Sequence, residues 1–270
     1  MNQWRLVEDD PGEAAWNMAV DEAIAESCRQ GLSPPTLRLY RWARPALTIG
    51  YFQKVDRDID EAVCQTEKIA VIRRMTGGRA VLHGHDLTYS VASRAYVPEL
   101  PNTIRGTFLA ISRGLIEGLH QLGLHAEPVR SPVRNMGRSP ICFMSASWYE
   151  IICNGRKIIG SAQRRWKDGM LQQGSLLLDF DPVFYYKLFR FPDQAQRARM
   201  IEEGRNRIGG LYNLLSTHVH PKTVANRIAS GFEKALAIQL EPAGLTDQEL
   251  ERAHHLAGTR YADHAWNRLG

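Results

Sequence analysis

Two side chains in the stretch from Cys142 to Gln163 carry reactive chemistry, and they flank a single turn. Cys142 stands before the first of two strand-forming runs, WYEII, and Lys157 lies in the second, RKIIGSA, just past Asn154-Gly155. A thiolate attacks acyl carbons readily, but a thiol with a pKa of about 8.5 is only a few per cent ionised at neutral pH. An ammonium within roughly 4–6 Å lowers such a pKa by about 1–3, which makes Lys157 a candidate activator. The plainer readings are a solvated lysine after a turn and a small buried thiol. Cys28, Cys64 and Cys153 fit that second description. Cys142 is set apart by the Pro/Arg/Gly loop before it and by its basic surroundings, which favour the thiolate.

Two further constellations could hold a ligand. Arg73, Arg74, Thr76, Gly77, Gly78, Arg79, Ala80 and His83 form one continuous turn sequence, RRMTGGRAVLH. Adjacent glycines let backbone N–H groups approach a ligand closely, and arginines around them offer planar forks for a carboxylate or phosphate. A plain Gly-Gly hairpin with surface arginines fits equally well. His83 alone reads as structural. Gly160, Ser161, Ala162 and Gln163 end the second run of the hairpin, where small residues leave a thin wall for a narrow tunnel. The alternative is a strand that needs small residues beneath a neighbour.

Asn-Gly is the strongest two-residue hairpin signal, because a type I′ turn needs positive φ at both central positions. Around this hairpin the sequence predicts a helix starting at Asp10-Pro11-Gly12-Glu13 and stopping at Gly31. Strands follow over 36–42 and 46–52, then a helix over 56–67. Further strands are predicted over 69–74, 80–83, 86–93, 124–129 and 170–180, with a helix over 104–122. From Asp181 onward the pattern turns helical, over 182–189, 221–240 and 246–267. The polar, Arg-rich stretch 191–207 reads as a mobile cover. The expected fold class is α+β, a largely antiparallel mixed sheet with helices on one face and a helical C-terminal tail.

The 270 residues are 44% apolar and 23% charged, ordinary for a globular chain with a sizeable core. The net charge of +5 is concentrated. Between Pro128 and Asp168, Arg130, Arg134, Arg138, Arg156, Lys157, Arg164, Arg165 and Lys167 face only Glu150 and Asp168, eight cations against two anions, or +6. Charge gathered there implies an acidic partner steered to the site. A solvated basic face is the alternative. No helix-turn-helix, zinc-finger or RNP pattern accompanies the charge, so no nucleic acid is expected. The four cysteines show neither CxxC nor metal spacing, so no metal is expected. The opening residues MNQWRLVEDDP hold no apolar h-region and no apolar run approaches membrane length, so a cytoplasmic protein with reduced thiols, no membrane and a monomeric state are expected.

Taken in order, Asn17-Met18-Ala19-Val20-Asp21-Glu22, the RRMTGGRAVLH turn, KIIGSAQ and LQQGSLLLD (with Gly174) resemble the motifs of the biotin/lipoate A/B protein ligase superfamily. The resemblance runs from about Trp16 to Asp181, with YADHAWN similar to the family's last helix. Within it, TGGR, HGHDLTYS, and Cys142-Phe143 followed by Ser147-Trp148-Tyr149-Glu150 resemble the cysteine-dependent octanoyltransferases of the LipM type. Ala146 departs from the pattern, which places proline there. The resemblance implies a class II ligase-like catalytic domain over 32–245, a helix over 11–30 packed on it, and a helical tail over 246–270. It also implies an acyl-thioester nucleophile at Cys142, with Lys157 as thiol activator, amine base or both. The donor would be octanoyl-acyl carrier protein. The acceptor would be a lysine on a lipoyl domain, of the glycine cleavage H protein or a 2-oxoacid dehydrogenase subunit. No cofactor and no ATP would be needed. The competing readings are an amidotransferase between lipoyl domains, an ATP-dependent lipoate ligase that leaves Cys142 idle, and a non-catalytic basic binding module.

Overall fold

In a computed structural model the described residues are 2–129, 150–215 and 217–269. The strands are β1 (Asn2–Glu8), β2 (Thr36–Tyr40), β3 (Ala46–Ile49), β4 (Ala70–Arg73), β5 (Val81–His83), β6 (Asp86–Arg94), β7 (Ala126–Pro128), β8 (Ile151–Cys153), β9 (Arg156–Arg165), β10 (Gly169–Leu177) and β11 (Ile238–Pro242). The longer helices are α1 (Ala14–Gln30), α4 (Ile104–His120), α6 (Gln194–Arg207), α7 (Pro221–Leu236) and α8 (Asp247–Gly258). Short ones are α2 (Val55–Asp58), α3 (Glu61–Thr66), α5 (Pro182–Lys187) and α9 (His264–Asn267). Eight strands form one sheet in the order β11-β1-β2-β6-β10-β9-β8-β7, and β4-β3-β5 form a second. The large sheet is antiparallel except where β1 pairs with β11 and β2.

Alternation along the strands decides what each face touches. Leu37 and Leu39 of β2, with Leu87, Tyr89 and Val91 of β6, face α4 and α7. Tyr40 and Ala92 point the other way, onto α1 and α8. Helices therefore cover both faces, where the sequence led us to expect one. A third apolar cluster joins the small sheet to α5, through Leu47, Ile49, Tyr185 and Phe189.

The hairpin between β8 and β9 forms as expected, with Asn154 and Gly155 at φ 51° and 74°. Other boundaries moved. Helix α1 starts at Ala14, and Asp10 does not cap it. Gly12 instead bridges to Trp42, and its carbonyl and that of Arg41 accept the Asn17 side-chain amide. The single helix expected over 56–67 is split in two by Ile59, which bridges to Phe189. The strands on either side of Gly84 belong to different sheets. Two strands went unread. β1 holds Arg5 in an otherwise apolar run, and β11 follows directly on α7 after Ala237 at φ 54°. The polar stretch carries a regular helix from Gln194 to Arg207, packed on α5, with Gly204 against the ring of Tyr186.

Arg5 of β1 grips Glu249 of α8 with two hydrogen bonds of 2.7 and 2.6 Å, and both groups are buried. Burial raises the Glu249 carboxyl, but hydrogen bonds from Arg5, the Thr246 N–H and Ser33 outweigh it and hold it below the ordinary value. A depressed carboxyl stabilises fully above its unfolded pKa, roughly 4.3, and that stabilisation fades as pH falls through the folded value. Glu249→Gln should lower the unfolding free energy by about 3–5 kcal/mol at pH 7, because the buried Arg5 is left without its counter-ion. The deficit relative to the parent should shrink below about pH 4 in denaturant titrations. A deficit constant across pH would mean that the pair is not what couples α8 to the sheet.

Candidate active site

Between the two sheets, under the N-terminal half of α1, lies a cavity of about 400 Å³ including its opening to solvent. Its walls are small or apolar on the β9 and β10 side, with Gly160, Ser161, Ala162 and Gly174, and Met18, Tyr40, Trp42 and Val81 elsewhere. Polar groups enter only where they are already bonded. Gln173 donates to Asp21 at 2.6 Å and accepts from Thr76 at 2.8 Å. Asp21 also accepts from Arg38, Tyr40 and Ser90 at 2.8, 2.7 and 2.7 Å. The motif Asn17–Glu22 thus supplies the carboxylate that fixes the cavity roof to the sheet. On the reverse face of β10, the Tyr89 ring lies against Gly174, where a Cβ would meet it at 2.2 Å. Tyr89 bonds Ser161 at 2.7 Å and receives Gln172 at 2.9 Å, while burial pushes its phenol up to about 12.

A second cluster closes one end. His83 bonds Asp86 through Nδ1 at 2.8 Å and Thr48 through Nε2 at 2.9 Å, and it stacks on Trp42 with ring centroids 4.1 Å apart. Burial raises the Asp86 carboxyl, but the His83 charge and hydrogen bonds from His83, Ser175 and the Gly84 N–H prevail and leave it below the usual carboxylate value.

The RRMTGGRAVLH turn behaves differently from expectation. Arg73 is fully buried, and its guanidinium donates to the carbonyls of Gly50, Tyr51, Gln53, Trp266 and Asn267. Arg74 lines the cavity but donates to the carbonyls of Thr48, Gly77 and Arg79. Both forks are spent on main chain, so neither is offered as a clamp for a carboxylate or phosphate. Arg79 is half-buried. Gly78 stands exposed at the turn, and Ala80 is sealed in the third apolar cluster, its carbonyl accepting from Tyr185. Neither lines the cavity. Gln163 lies on the reverse face with Gln172. Helix α9 steadies the turn from outside, since Asn267 accepts the Arg73 N–H and the Trp266 indole donates to the Arg73 carbonyl.

Lys157 is buried at the start of β9, its ammonium 2.5 Å from the Glu150 carboxylate, itself buried. It is no lone ammonium, and Glu150 is the residue that sequence reasoning passed over, although it ends the SWYE motif. Lys157 lies about 10 Å along β9 from Gly160, at roughly 3.3 Å per residue. Cys142 lies outside the described residues. The segment that contains it is bounded by Val129 and Glu150, joined by a Val129 N–H to Glu150 carbonyl bond of 2.8 Å. Part of the expected basic face is consumed internally. Arg164 lies over the rings of Tyr51 and Trp166, and Arg165 donates to Thr107 and Asn102. Arg130, Arg134 and Arg138 lie outside the described residues.

Residues 13–233 match the model of the lipoyl protein ligase A/B catalytic domain. The chain is 39% identical to Octanoyltransferase LipM of Halalkalibacterium halodurans over 274 residues, covering 99% of each. It is 38% identical to Octanoyltransferase LipM of Bacillus subtilis, covering 98% of this chain and 97% of that one. Among solved structures, a bi-partite lipoate protein ligase of Thermoplasma acidophilum superposes with a TM-score of 0.85 at 25% identity, over 99% of this chain and 97% of that chain. A lipoate-protein ligase A bound with ATP superposes with a TM-score of 0.80, again at 25% identity, over 99% of each chain.

The Gly-Gly pair drew attention in the sequence, yet the crowded glycine is Gly50. A Cβ there would sit 2.0 Å from the Gly78 carbonyl oxygen, whereas one on Gly77 meets nothing within 4 Å. Gly50→Ala should therefore cost about 1–3 kcal/mol, as overpacking does, and Gly77→Ala less than about 0.5 kcal/mol. Thermal melts of the two variants compare these directly; equal losses would contradict the packing described.

Proposed function

The chain belongs to the lipoyl protein ligase A/B catalytic domain family and is an octanoyltransferase of lipoate biosynthesis, and from that premise we propose that it works through an acyl-thioester on Cys142. The donor is octanoyl-acyl carrier protein and the acceptor is a lysine on a lipoyl domain. The observation that carries this reading is the largely apolar pocket walled by Gly160–Ala162, on the same strand as Lys157, which pairs with the buried Glu150. An eight-carbon chain needs such a slot, and its thioester must end beside a polar, charged group.

The thiolate of Cys142 attacks the donor carbonyl. The carbon–sulfur bond to the carrier breaks, and the carrier thiolate leaves and takes up a proton. One thioester replaces another at little energetic cost, so no ATP is required. The neutral amine of the acceptor lysine then attacks the acyl-enzyme and loses a proton, Cys142 leaves as thiolate, and an amide forms. Amide formation from a thioester is downhill and drives the pair of steps. Lys157, held by Glu150, supplies positive charge beside the segment that carries Cys142. The remaining cysteines fit the role poorly. Burial pushes the thiols of Cys28 and Cys64 up to about 11, and raises that of Cys153 as well.

Intact-mass spectrometry after mixing with octanoyl-acyl carrier protein, without ATP, should reveal one octanoyl adduct. Peptide mapping should place it on Cys142, and a lipoyl domain should discharge it. An adduct that requires ATP, or none at all, would point to the ligase reading instead. Lys157→Met should slow acylation most at neutral pH and recover partly in alkali; a loss independent of pH would assign Lys157 to substrate binding.

The ion pair gives a separate stability test. Lys157→Met takes the ammonium away from the buried Glu150 carboxylate, which should cost about 3–5 kcal/mol, while adding Glu150→Gln removes the uncompensated charge and should restore most of that stability. A double variant no more stable than the single one would show that the two groups are not coupled.

A further inference from the structure

Next to the pocket that we assign to the acyl chain lies another, about 530 Å³ including its opening to solvent, bordered in part by Leu82, Leu177, Phe180 and Phe184. Among the described residues, His83 alone borders both. Its neighbours on β5 show why. Val81 faces the first cavity and Leu82 the second, as strand alternation requires, and His83, at the strand's end, borders both. The ring is held on three sides, by Asp86, by Thr48 and by the face of Trp42. It is only 6% exposed. A side chain pinned in that manner is a fixed wall rather than a swinging one.

We infer that the His83 ring is the stop that sets acyl-chain length, a specificity determinant that rests on the octanoyltransferase reading above. A chain that reaches the ring meets an imidazole whose two nitrogens are already bonded. It cannot go further without breaking a bond to a buried carboxylate. The second cavity, which His83 also borders, offers leucine and phenylalanine side chains that suit additional methylenes, alongside the polar His85, Asp179 and Asp181. Opening the wall therefore turns a steric penalty into a binding gain of about fourfold for each methylene buried.

The test uses acyl-N-acetylcysteamine thioesters of eight, ten, twelve and fourteen carbons, with adducts counted by intact mass. Carrier docking then plays no part, and the ratio of dodecanoyl to octanoyl adduct is read irrespective of overall rate. In the parent protein the adduct rate should fall at least tenfold between the longest chain accepted and the next. In His83→Ala the dodecanoyl-to-octanoyl ratio should rise at least tenfold. His83→Asn, which keeps a donor for Asp86 on a shorter side chain, should give a smaller rise and protects the test against misfolding of the first variant. Adding Leu82→Phe to His83→Ala refills the second cavity and should reverse the gain. A parent profile that is flat beyond eight carbons would overturn the proposal, as would variants that acylate with an unchanged chain-length ratio. A parent protein that takes no octanoyl group at all would remove the transferase reading itself, and the wall's role with it.

Discussion

The site depends on a carboxylate that has been taken out of water. Asp21 sits on α1, fully buried, and accepts hydrogen bonds from Arg38, Tyr40, Ser90 and Gln173. A buried charge is tolerable only when it is paired and fully hydrogen-bonded, and here four donors from three adjacent strands meet that demand. Those strands, β2, β6 and β10, form the centre of the large sheet, so one side chain fixes the helix over all three. Gln173 carries the constraint onward to Thr76. The cavity is the space left beneath a helix held at that height.

The same economy governs the charges around the cavity. Asp86 is paired with His83, Lys157 with Glu150, and Arg38 with both Asp21 and Asp9. Arg73 and Arg74 direct their forks to main-chain carbonyls and so brace the turn that closes the slot. An apolar acyl group needs walls free of unpaired polar atoms, and these pairings supply them. Single charges would favour an anionic ligand in that space. Neutralised ones favour a hydrocarbon.

Much of this was legible in the chain, for identifiable reasons. Asn154-Gly155 forced its hairpin through φ alone, and Gly160, Ala162 and Gly174 reach the cavity because strands need small residues where another group must fit. What sequence could not give was the use of polar residues. Arg73 looks like a ligand fork until its carbonyl partners are seen, and they come from Gly50–Gln53 and from the last helix, far apart in the chain. Ala80 looks like part of a ligand-holding turn until it is found sealed in the third apolar cluster, its carbonyl taken by Tyr185. Strand β1 was hidden because its apolar residues serve both faces, Trp4 and Leu6 one core and Val7 the other, with Arg5 between them. Glu150 and Asp86 were in view within SWYE and HGHD. Only the fold brought them to Lys157 and His83.

The central claim is that the slot between Trp42 and the Gly160–Ala162 wall holds the acyl chain while Cys142 holds its carbonyl carbon. A crystal structure of the protein reacted with an octanoyl thioester in the absence of nucleotide tests that directly. The account predicts continuous density from the Cys142 sulfur into the slot, with the chain's end against the His83 ring. Density for the chain elsewhere, or an octanoyl group found only when ATP is supplied and not joined to Cys142, would contradict it.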